Sequence, residues 1–258
     1  MKEQYINIML SYARSGGTLL NRCLGVLSNV VMLSEINAEA LCPNTCNTID
    51  LQAKKWYNID VKKHEFIKAI REVYDYCSSN GKVLIIRDWS FGSFVPSRYN
   101  NFKPSKTLYS LILLSKYFPV RVFAFVRDPI DVWLSMYYSK RTFYDIHLNY
   151  LFEFINQLYE FNIKVFYYED FCRRPKQEME KICKYCGLEF DPEFLDRYKY
   201  NFNVCGDTDS KIPSRGISQD KIKLLPRMKV PVNLIENIEN NTKKNEIIDL
   251  LHKIKLAN

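Results

Sequence analysis

The residues of this sequence best suited to chemistry lie in a short loop after the first apolar run, S-Y-A-R-S-G-G-T at residues 11–18. Glycines let the backbone approach an anion, consecutive N–H groups can surround it, and the N-terminus of a following helix adds partial positive charge. Arg14 would add a full positive charge. A turn that needs glycine only for its conformation explains the segment equally well. The sequence has no G-x-x-x-x-G-K-[ST] motif, which disfavours a conventional ATPase or kinase.

A second charged segment, R-D-P-I-D-V-W-L-S at residues 127–135, follows a later apolar run. Asp128 suits a helix N-cap and Pro129 the first helical position, so both have structural reasons to be there. Arg127 and Ser135 have no such reason. A guanidinium at the end of a strand and a hydroxyl two turns into the helix could hold a phosphate by charge-assisted hydrogen bonds.

The elements that position these segments follow from the apolar pattern. Five runs of strand length are nearly continuous rather than alternating, which is typical of buried parallel strands; they lie at residues 5–10, 30–33, 83–86, 120–126 and 164–168. Helical patterns alternate with them, at residues 18–27, within 52–77, and at 107–117, 130–139, 144–161 and 176–186. The alternation predicts an α/β fold, with a central parallel sheet of about five strands and helices on both faces.

We expect residues 1–258 to form a single domain. Residues 199–223 show no period and predict a long loop, and loops of that length are usually functional or disordered. Residues 234–256 predict an amphipathic C-terminal helical segment with an interruption at residues 240–242.

Composition limits the class of protein. The 258 residues are 47% hydrophobic and 26% charged, which excludes disorder as the main state. Lys and Arg outnumber Asp and Glu by 37 to 29, so the molecule attracts anions. We expect no nucleic-acid partner, because the basic residues are distributed and no nucleic-acid module is recognisable. No apolar run approaches the roughly 20 residues that cross a bilayer, and no export signal precedes the first strand, so we expect a cytoplasmic protein.

Cysteine and histidine do not predict a metal site. Reduced thiols are expected in a chain of this size without an export signal. The close pairs Cys42 and Cys46, and Cys183 and Cys186, have spacing that zinc could use. The second pair, however, shares one face of a predicted helix, which favours core packing. We expect His147 to be a surface or packing residue.

Together, A-R-S-G-G-T-L-L at residues 13–20 and V-R-D-P-I-D-V-W-L-S at residues 126–135 resemble the two motifs of sulfotransferases that use 3′-phosphoadenosine 5′-phosphosulfate (PAPS). Their order and separation also fit, and the resemblance extends over about residues 5–222. It implies a P-loop NTPase-like fold, PAPS as co-substrate, adenosine 3′,5′-bisphosphate (PAP) as product, and no required metal. The acceptor would be a hydroxyl or amine of a small molecule, saccharide or lipid.

In that family the first loop cradles the 5′-phosphosulfate and the second motif binds the 3′-phosphate. The resemblance therefore implies a 5′ site made by Arg14, Ser15, Gly16, Gly17 and Thr18, and a 3′ site made by Arg127 and Ser135. Residues 206–216 stand in the place of the family's nucleotide-covering segment, which implies that Arg215 and Gly216 also contact the 3′-phosphate. The resemblance further implies that Glu169 and Asp170 cap or brace structure rather than catalyse.

One departure from the family concerns the loop. Relatives often have Gly-Thr-Thr or Ser-Thr-Thr where this chain has Gly16-Gly17-Thr18. We expect the missing side chain at Gly17 to weaken one hydrogen bond and to leave the backbone nest intact.

Sulfuryl transfer places negative charge on the leaving phosphate, and Arg14 is our candidate for stabilising it. An acceptor hydroxyl also needs a general base. Glu35, in S-E-I-N, resembles a segment of bacterial and plant sulfotransferase-like proteins, and Asp88 at the end of the third strand is the alternative. Either could instead be a solvated or structural carboxylate. Arg87 is similar in position to a basic residue that many relatives keep beside the sulfate, and Trp89 stands where many have a histidine.

Two other functions remain open. The first is a catalytically inactive nucleotide-binding or scaffold protein with the same fold, which Trp89 and Gly17 favour. The second is an ATP-dependent P-loop kinase, which the absence of a Walker lysine disfavours.

Overall fold

The computed structural model describes residues 4–39, 48–96, 103–139, 147–205 and 221–257. The candidate zinc ligands Cys42 and Cys46 and the predicted nucleotide-covering residues Arg215 and Gly216 lie outside the described residues.

Five parallel strands form the central sheet, in the order β2-β3-β1-β4-β5. They are β1 (Ile6–Leu10), β2 (Val30–Ile36), β3 (Val83–Asp88), β4 (Val120–Val126) and β5 (Lys164–Tyr167). Each predicted apolar run forms one strand, which confirms the α/β fold and its parallel sheet. Because the strands are parallel, the segments that follow β1, β2, β3 and β4 meet at one edge of the sheet.

Among the described residues the chain forms twelve α-helices. They are α1 (Gly17–Gly25), α2 (Ile49–Tyr57), α3 (Phe66–Ser79), α4 (Ser90–Phe94), α5 (Tyr109–Leu114), α6 (Pro129–Tyr138), α7 (His147–Glu160), α8 (Tyr168–Arg173), α9 (Pro175–Cys186), α10 (Phe194–Arg197), α11 (Ile235–Glu239) and α12 (Thr242–Ala257). The predicted C-terminal interruption separates α11 from α12. None of these helices combines the length and apolar character needed to cross a bilayer.

Helices cover both faces of the sheet, as predicted. Successive β1 residues such as Ile8 and Met9 point to opposite faces. On the side of Ile8, helices α3, α7 and α12 enclose a cluster that we name the α7-side core. On the side of Met9, helices α1, α8 and α9 enclose the α1-side core. Cys183 and Cys186 are buried in the α1-side core, where burial raises the pKa of Cys183 to about 12, as expected for an inert packing thiol.

A segment near the C-terminus crosses between these two cores. We name residues 221–230 the crossing segment. Ile222 and Leu224 pack against the α1-side core, whereas Met228 and Val230 pack against the α7-side core. Because the two cores lie on opposite faces of the sheet, the chain must pass around the sheet between Leu224 and Met228.

Candidate functional site

The loop between β1 and α1 has the backbone of an anion-binding turn. Arg14 and Gly16 adopt left-handed conformations, with φ angles of 68° and 87°. The Ser15 N–H donates to the Tyr12 carbonyl at 3.2 Å, and the Leu19 N–H donates to the Gly16 carbonyl at 3.0 Å as α1 begins. No side chain caps α1, and its first turn has no acidic residue. Its N-terminal partial charge is therefore available to an anion.

Both glycines of this loop are needed for space. A Cβ atom on Gly16 would collide with the ring of Tyr168. A Cβ atom on Gly17 would lie 2.5 Å from Ser11 Oγ and 3.1 Å from Arg87 Nε. The departure from the family pattern at position 17 therefore has a steric reason, because Arg87 and Ser11 fill the space that a threonine would need.

We expect Gly17→Ala to lower the free energy of unfolding by about 1–3 kcal/mol, because an added methyl overpacks this contact. Ser11→Ala should restore much of the loss, since it removes the atom closest to the new methyl group. Urea unfolding of the two single variants and the double variant measures both effects. A double variant no more stable than Gly17→Ala would contradict this steric account.

The two charged motifs meet beside this loop. Arg14 Nε donates to Ser135 Oγ at 2.8 Å, and Arg127 Nη1 donates to the Arg14 carbonyl at 3.3 Å. The Arg127 guanidinium carbon lies 4.7 Å from the ring centroid of Tyr168. Arg127 Nε is buried, and the described residues offer it no hydrogen-bond partner. The structure thus brings the predicted 5′-site and 3′-site residues into direct contact.

The helix that carries Ser135 is fixed at its start by two acidic residues. Asp128 caps α6, its Oδ1 accepting from the N–H groups of Ile130 and Asp131 at 2.9 and 3.1 Å. The Asp128 N–H in turn donates to Glu169 Oε1 at 2.9 Å, which is the bracing contact that the resemblance implied. Burial raises the pKa of Glu169.

Arg227 of the crossing segment joins this cap. Its Nη2 lies 2.8 Å from Asp128 Oδ1, and its Nε donates to Asp131 Oδ1 at 2.9 Å. The crossing segment is therefore fastened next to Arg127. No sequence pattern indicated this contact, because Arg227 lies outside both motifs.

Glu35 and Arg87 form a buried ion pair on the other side of the loop. Arg87 Nη2 lies 3.0 Å from Glu35 Oε1, and the two side chains are 9% and 10% exposed. Arg87 Nη1 donates to the Cys205 carbonyl at 3.2 Å. Arg87 Nε, next to Gly17, is buried and has no hydrogen-bond partner among the described residues. Glu35 is thus separated from the loop by the width of one guanidinium group.

Asp88, the other candidate base, has a different environment. Its Oδ1 accepts from Asn37 Nδ2 at 3.1 Å and its Oδ2 accepts from Ser90 Oγ at 2.8 Å. Burial raises the pKa of Asp88 to about 6, against the opposing effect of hydrogen bonds from Ser110, Ser90 and Asn37. Asp88 therefore joins the turns that follow β2 and β3.

We expect Asp88 to make folding stability decrease as the pH rises from about 4 to about 6. Its pKa is higher in the folded protein than in the unfolded chain, so the folded protein holds this proton more tightly. The stability that this proton adds is fully present below the pKa of the unfolded chain and is lost as the pH rises through about 6. The difference between the two pKa values corresponds to about 3 kcal/mol. Urea unfolding between pH 4 and pH 8 should show a weaker dependence in Asp88→Asn than in the wild type, with the remainder due to other buried carboxyls such as Glu169. An identical dependence in both would contradict the assignment.

Aromatic rings line the sheet edge between β1 and β3. The Phe91 ring centroid lies 6.2 Å from that of Trp89 and 5.6 Å from that of Tyr12. His147, at the start of α7, completes the group, with its ring centroid 4.8 Å from that of Tyr12. His147 is fully buried, so the structure places it in packing, one of the two expected positions.

The comparison with protein families identifies the family of the chain. A model of the sulfotransferase family matches residues 8–192, a span that includes both charged motifs, Glu35 and Asp88. The chain belongs to the sulfotransferase family. A search of curated proteins finds no match to this sulfotransferase.

Solved sulfotransferases share its fold over nearly the whole chain. The sulfotransferase domain from the Synechococcus PCC 7002 olefin synthase is 18% identical, with a TM-score of 0.60 over 99% of this chain and 97% of that one. The sulfotransferase domain from the curacin biosynthetic pathway is 15% identical, with a TM-score of 0.58 over 98% of this chain and 99% of that domain. Mouse sulfotransferase SULT7A1, complexed with PAP, is 13% identical, with a TM-score of 0.51 over 95% of this chain and 88% of the mouse protein. At these identities the likeness shows a common fold.

Proposed function

We propose that this sulfotransferase uses PAPS as its donor and moves the sulfuryl group to a hydroxyl or amine of a small-molecule, saccharide or lipid acceptor. The observation that carries the proposal is the contact between the two charged motifs. Arg14 Nε reaches Ser135 Oγ at 2.8 Å while Arg127 lies against the Arg14 backbone, all beside the uncapped N-terminus of α1. Two guanidinium groups, a hydroxyl and a helix N-terminus suit a ligand with phosphate groups at separate positions.

The unsatisfied polar atoms at this place support the same proposal. Arg127 Nε and Arg87 Nε are both buried, and neither has a hydrogen-bond partner in the part of the chain that the structure describes. Buried donors without partners are costly, and anionic oxygens would satisfy them. A sulfotransferase with the same fold has been solved with PAP bound, which is consistent with this ligand class.

In the proposed reaction the acceptor oxygen or nitrogen attacks sulfur in line with the leaving phosphate. A bond forms from the acceptor to sulfur, the bond from sulfur to the 5′-phosphate oxygen breaks, and negative charge develops on that phosphate. Arg14 and the first N–H groups of α1 would stabilise this charge more strongly in the transition state than in the ground state. The proton of the acceptor passes to a general base.

Glu35 is the better of the two candidate bases. It lies at the end of β2, beside Arg87, which itself contacts the loop at Gly17. Asp88 accepts hydrogen bonds from Asn37 and Ser90 on its two oxygens, so both are committed to holding turns. We therefore assign the base to Glu35 and a structural role to Asp88.

Thermal unfolding with and without PAP tests the donor site. At PAP near 100 times Kd the native state gains about 2.7 kcal/mol, enough to raise the unfolding temperature by a few degrees in a domain of this size. Arg127→Ala should abolish the increase, because it removes a cation whose Nε is buried without a partner among the described residues. ATP and AMP are the controls. An absent increase with PAP, or an equal one with AMP, would contradict the proposal.

A nucleotide-binding protein without transfer activity is the second candidate. It is favoured by the ion pair that engages Glu35 and by Trp89 in the position where many relatives have a histidine. PAP binding with no sulfated product across alcohols, phenols, saccharides and amines would support it. Product formation with any of these acceptors would exclude it.

A further inference from the structure

We infer that His147 is a positioning residue that holds the phosphate loop in its binding conformation through the hydroxyl of Tyr12. The effect on nucleotide affinity rests on the proposed function, whereas the effect on the loop itself does not. Neither residue belongs to the motif positions assigned above to the nucleotide.

Tyr12 fastens the start of the loop to the α7-side core. Its side chain is 2% exposed and packs among three rings, with centroid separations of 5.6 Å to Phe91, 4.8 Å to His147 and 5.6 Å to Phe154. Its backbone carbonyl accepts from the Ser15 N–H at 3.2 Å. The same residue is therefore anchored in the core through its side chain and closes the loop through its backbone.

His147 provides the polar partner within this anchor. It is 0% exposed, and its Nδ1 lies 3.3 Å from the Tyr12 hydroxyl. Burial raises the pKa of Tyr12 well above its ordinary value, so the phenol keeps its proton, and the tautomer of His147 decides whether the hydroxyl or Nδ1 is the donor. A buried hydroxyl without a partner is costly, so this hydrogen bond favours one position of the Tyr12 ring.

The loop needs such an anchor because its backbone is strained. Arg14 adopts a left-handed conformation that a non-glycine residue keeps only where its surroundings fix it. On one side of Arg14 the chain enters α1, and on the other it is held by Tyr12. Without the hydroxyl contact Tyr12 can shift, and Arg14 can then leave the conformation in which its Nε reaches Ser135. The fraction of molecules competent to bind an anion falls, and apparent affinity falls with it.

Amide hydrogen exchange of Ser15, Leu19 and Leu20, whose N–H groups donate to carbonyls of the loop, tests the inference directly in the ligand-free protein. Tyr12→Phe removes only the hydroxyl, and His147→Phe keeps a ring but removes Nδ1, the partner of that hydroxyl. Both should accelerate exchange of these amides about three- to tenfold, the range expected for one buried hydrogen bond. His147→Asn, which places a polar atom near the position of Nδ1, should restore part of the protection. The double variant Tyr12→Phe/His147→Phe should resemble the single variants, because both lose the same contact.

Tyr185→Phe is the matched control. It removes a part-buried tyrosine hydroxyl that donates to the Val122 carbonyl at 2.7 Å, in the core on the opposite face of the sheet. It should leave exchange of the Ser15, Leu19 and Leu20 amides unchanged. If His147 has only a packing role, Tyr12→Phe and His147→Phe lower the unfolding temperature as this control does and cause no selective change in loop exchange. That result would overturn the inference. Additive effects in the double variant would also overturn it.

PAP titration of the same variants separates this inference from the donor assignment. Tyr12→Phe and His147→Phe should each weaken PAP binding about three- to tenfold, and Tyr185→Phe should not. If wild-type protein does not bind PAP, the proposed donor is wrong, yet the exchange data still decide whether His147 positions the loop. If the loop exchanges faster while PAP affinity is unchanged, the His147 contact does not control the binding conformation and the inference fails.

Discussion

Replacing Arg14 with alanine should lower kcat by about 10²–10³-fold while the protein remains folded, since one fixed donor to the developing charge is worth about that much. Arg14 donates to Ser135 and lies in the loop that opens α1. Alanine meets the same backbone demand at this left-handed position as arginine does, so the variant adds no new strain there. The measurement is steady-state turnover with PAPS and a productive acceptor, alongside the unfolding temperature.

Two further substitutions separate the charge of Arg14 from its hydrogen bond. Arg14→Lys keeps a cation and Arg14→Gln keeps only a neutral donor, so lysine should retain more activity if charge dominates. Arg71→Ala is the control for net charge. The Arg71 guanidinium carbon lies 4.0 Å from the ring centroid of Phe118. Phe118 comes just before β4 begins, so this contact lies at the edge of the sheet opposite to the Arg14 loop. Turnover of Arg14→Ala equal to that of Arg71→Ala would exclude Arg14 from the reaction.

The sheet could be predicted because burial on both faces leaves a continuous apolar run in each strand. The predicted ends of two strands were too early. β2 continues through Ser34 and Glu35, and β3 continues through Arg87 and Asp88, all of them polar and buried. An apolar pattern ends at the first polar residue, whereas a strand continues wherever tertiary partners satisfy that residue. The strand ends that the pattern missed are the places where candidate site residues lie.

Short helices were missed for a related reason. α4 and α8 have five and six residues, too few to display a helical period. The predicted helical stretch within residues 52–77 is two helices, because Asn58 takes a left-handed conformation that ends α2.

The residues of the two motifs could be found from sequence, but their partners could not. Arg14 and Arg127 follow different strands, and parallel pairing of β1 with β4 brings their segments together. The contacts of Arg227 with Asp128 and of His147 with Tyr12 join segments that are far apart in the chain and lie in no motif. Such pairs depend on how helices and loops approach the sheet edge, which the apolar period does not encode.

Glu35→Gln should lower kcat by about 10²–10⁴-fold without weakening PAP binding, which is the range for loss of a general base. Glutamine keeps an oxygen that can accept from Arg87 Nη2, now at 3.0 Å from Glu35 Oε1, but it cannot take a proton from the acceptor. Turnover and PAP titration of the same preparation separate the two effects. Asp88→Asn should instead act mainly on stability, because Asp88 joins the turns held by Asn37 and Ser90.

The ion pair provides the main competing explanation, because removing one charge of a buried pair destabilises a protein even when neither residue is catalytic. Arg87→Lys tests it. Lysine keeps a positive charge opposite Glu35 but loses the planar donor that lies against Gly17. If Glu35→Gln loses activity only as far as it loses stability, and Arg87→Lys behaves the same way, Glu35 is structural.

If activity falls as the pH decreases through about 6 and Asp88→Asn abolishes that dependence, the base is Asp88, since burial places its pKa there. A large loss of kcat in Glu35→Gln with unchanged unfolding temperature and PAP affinity leaves proton removal as the step that Glu35 performs.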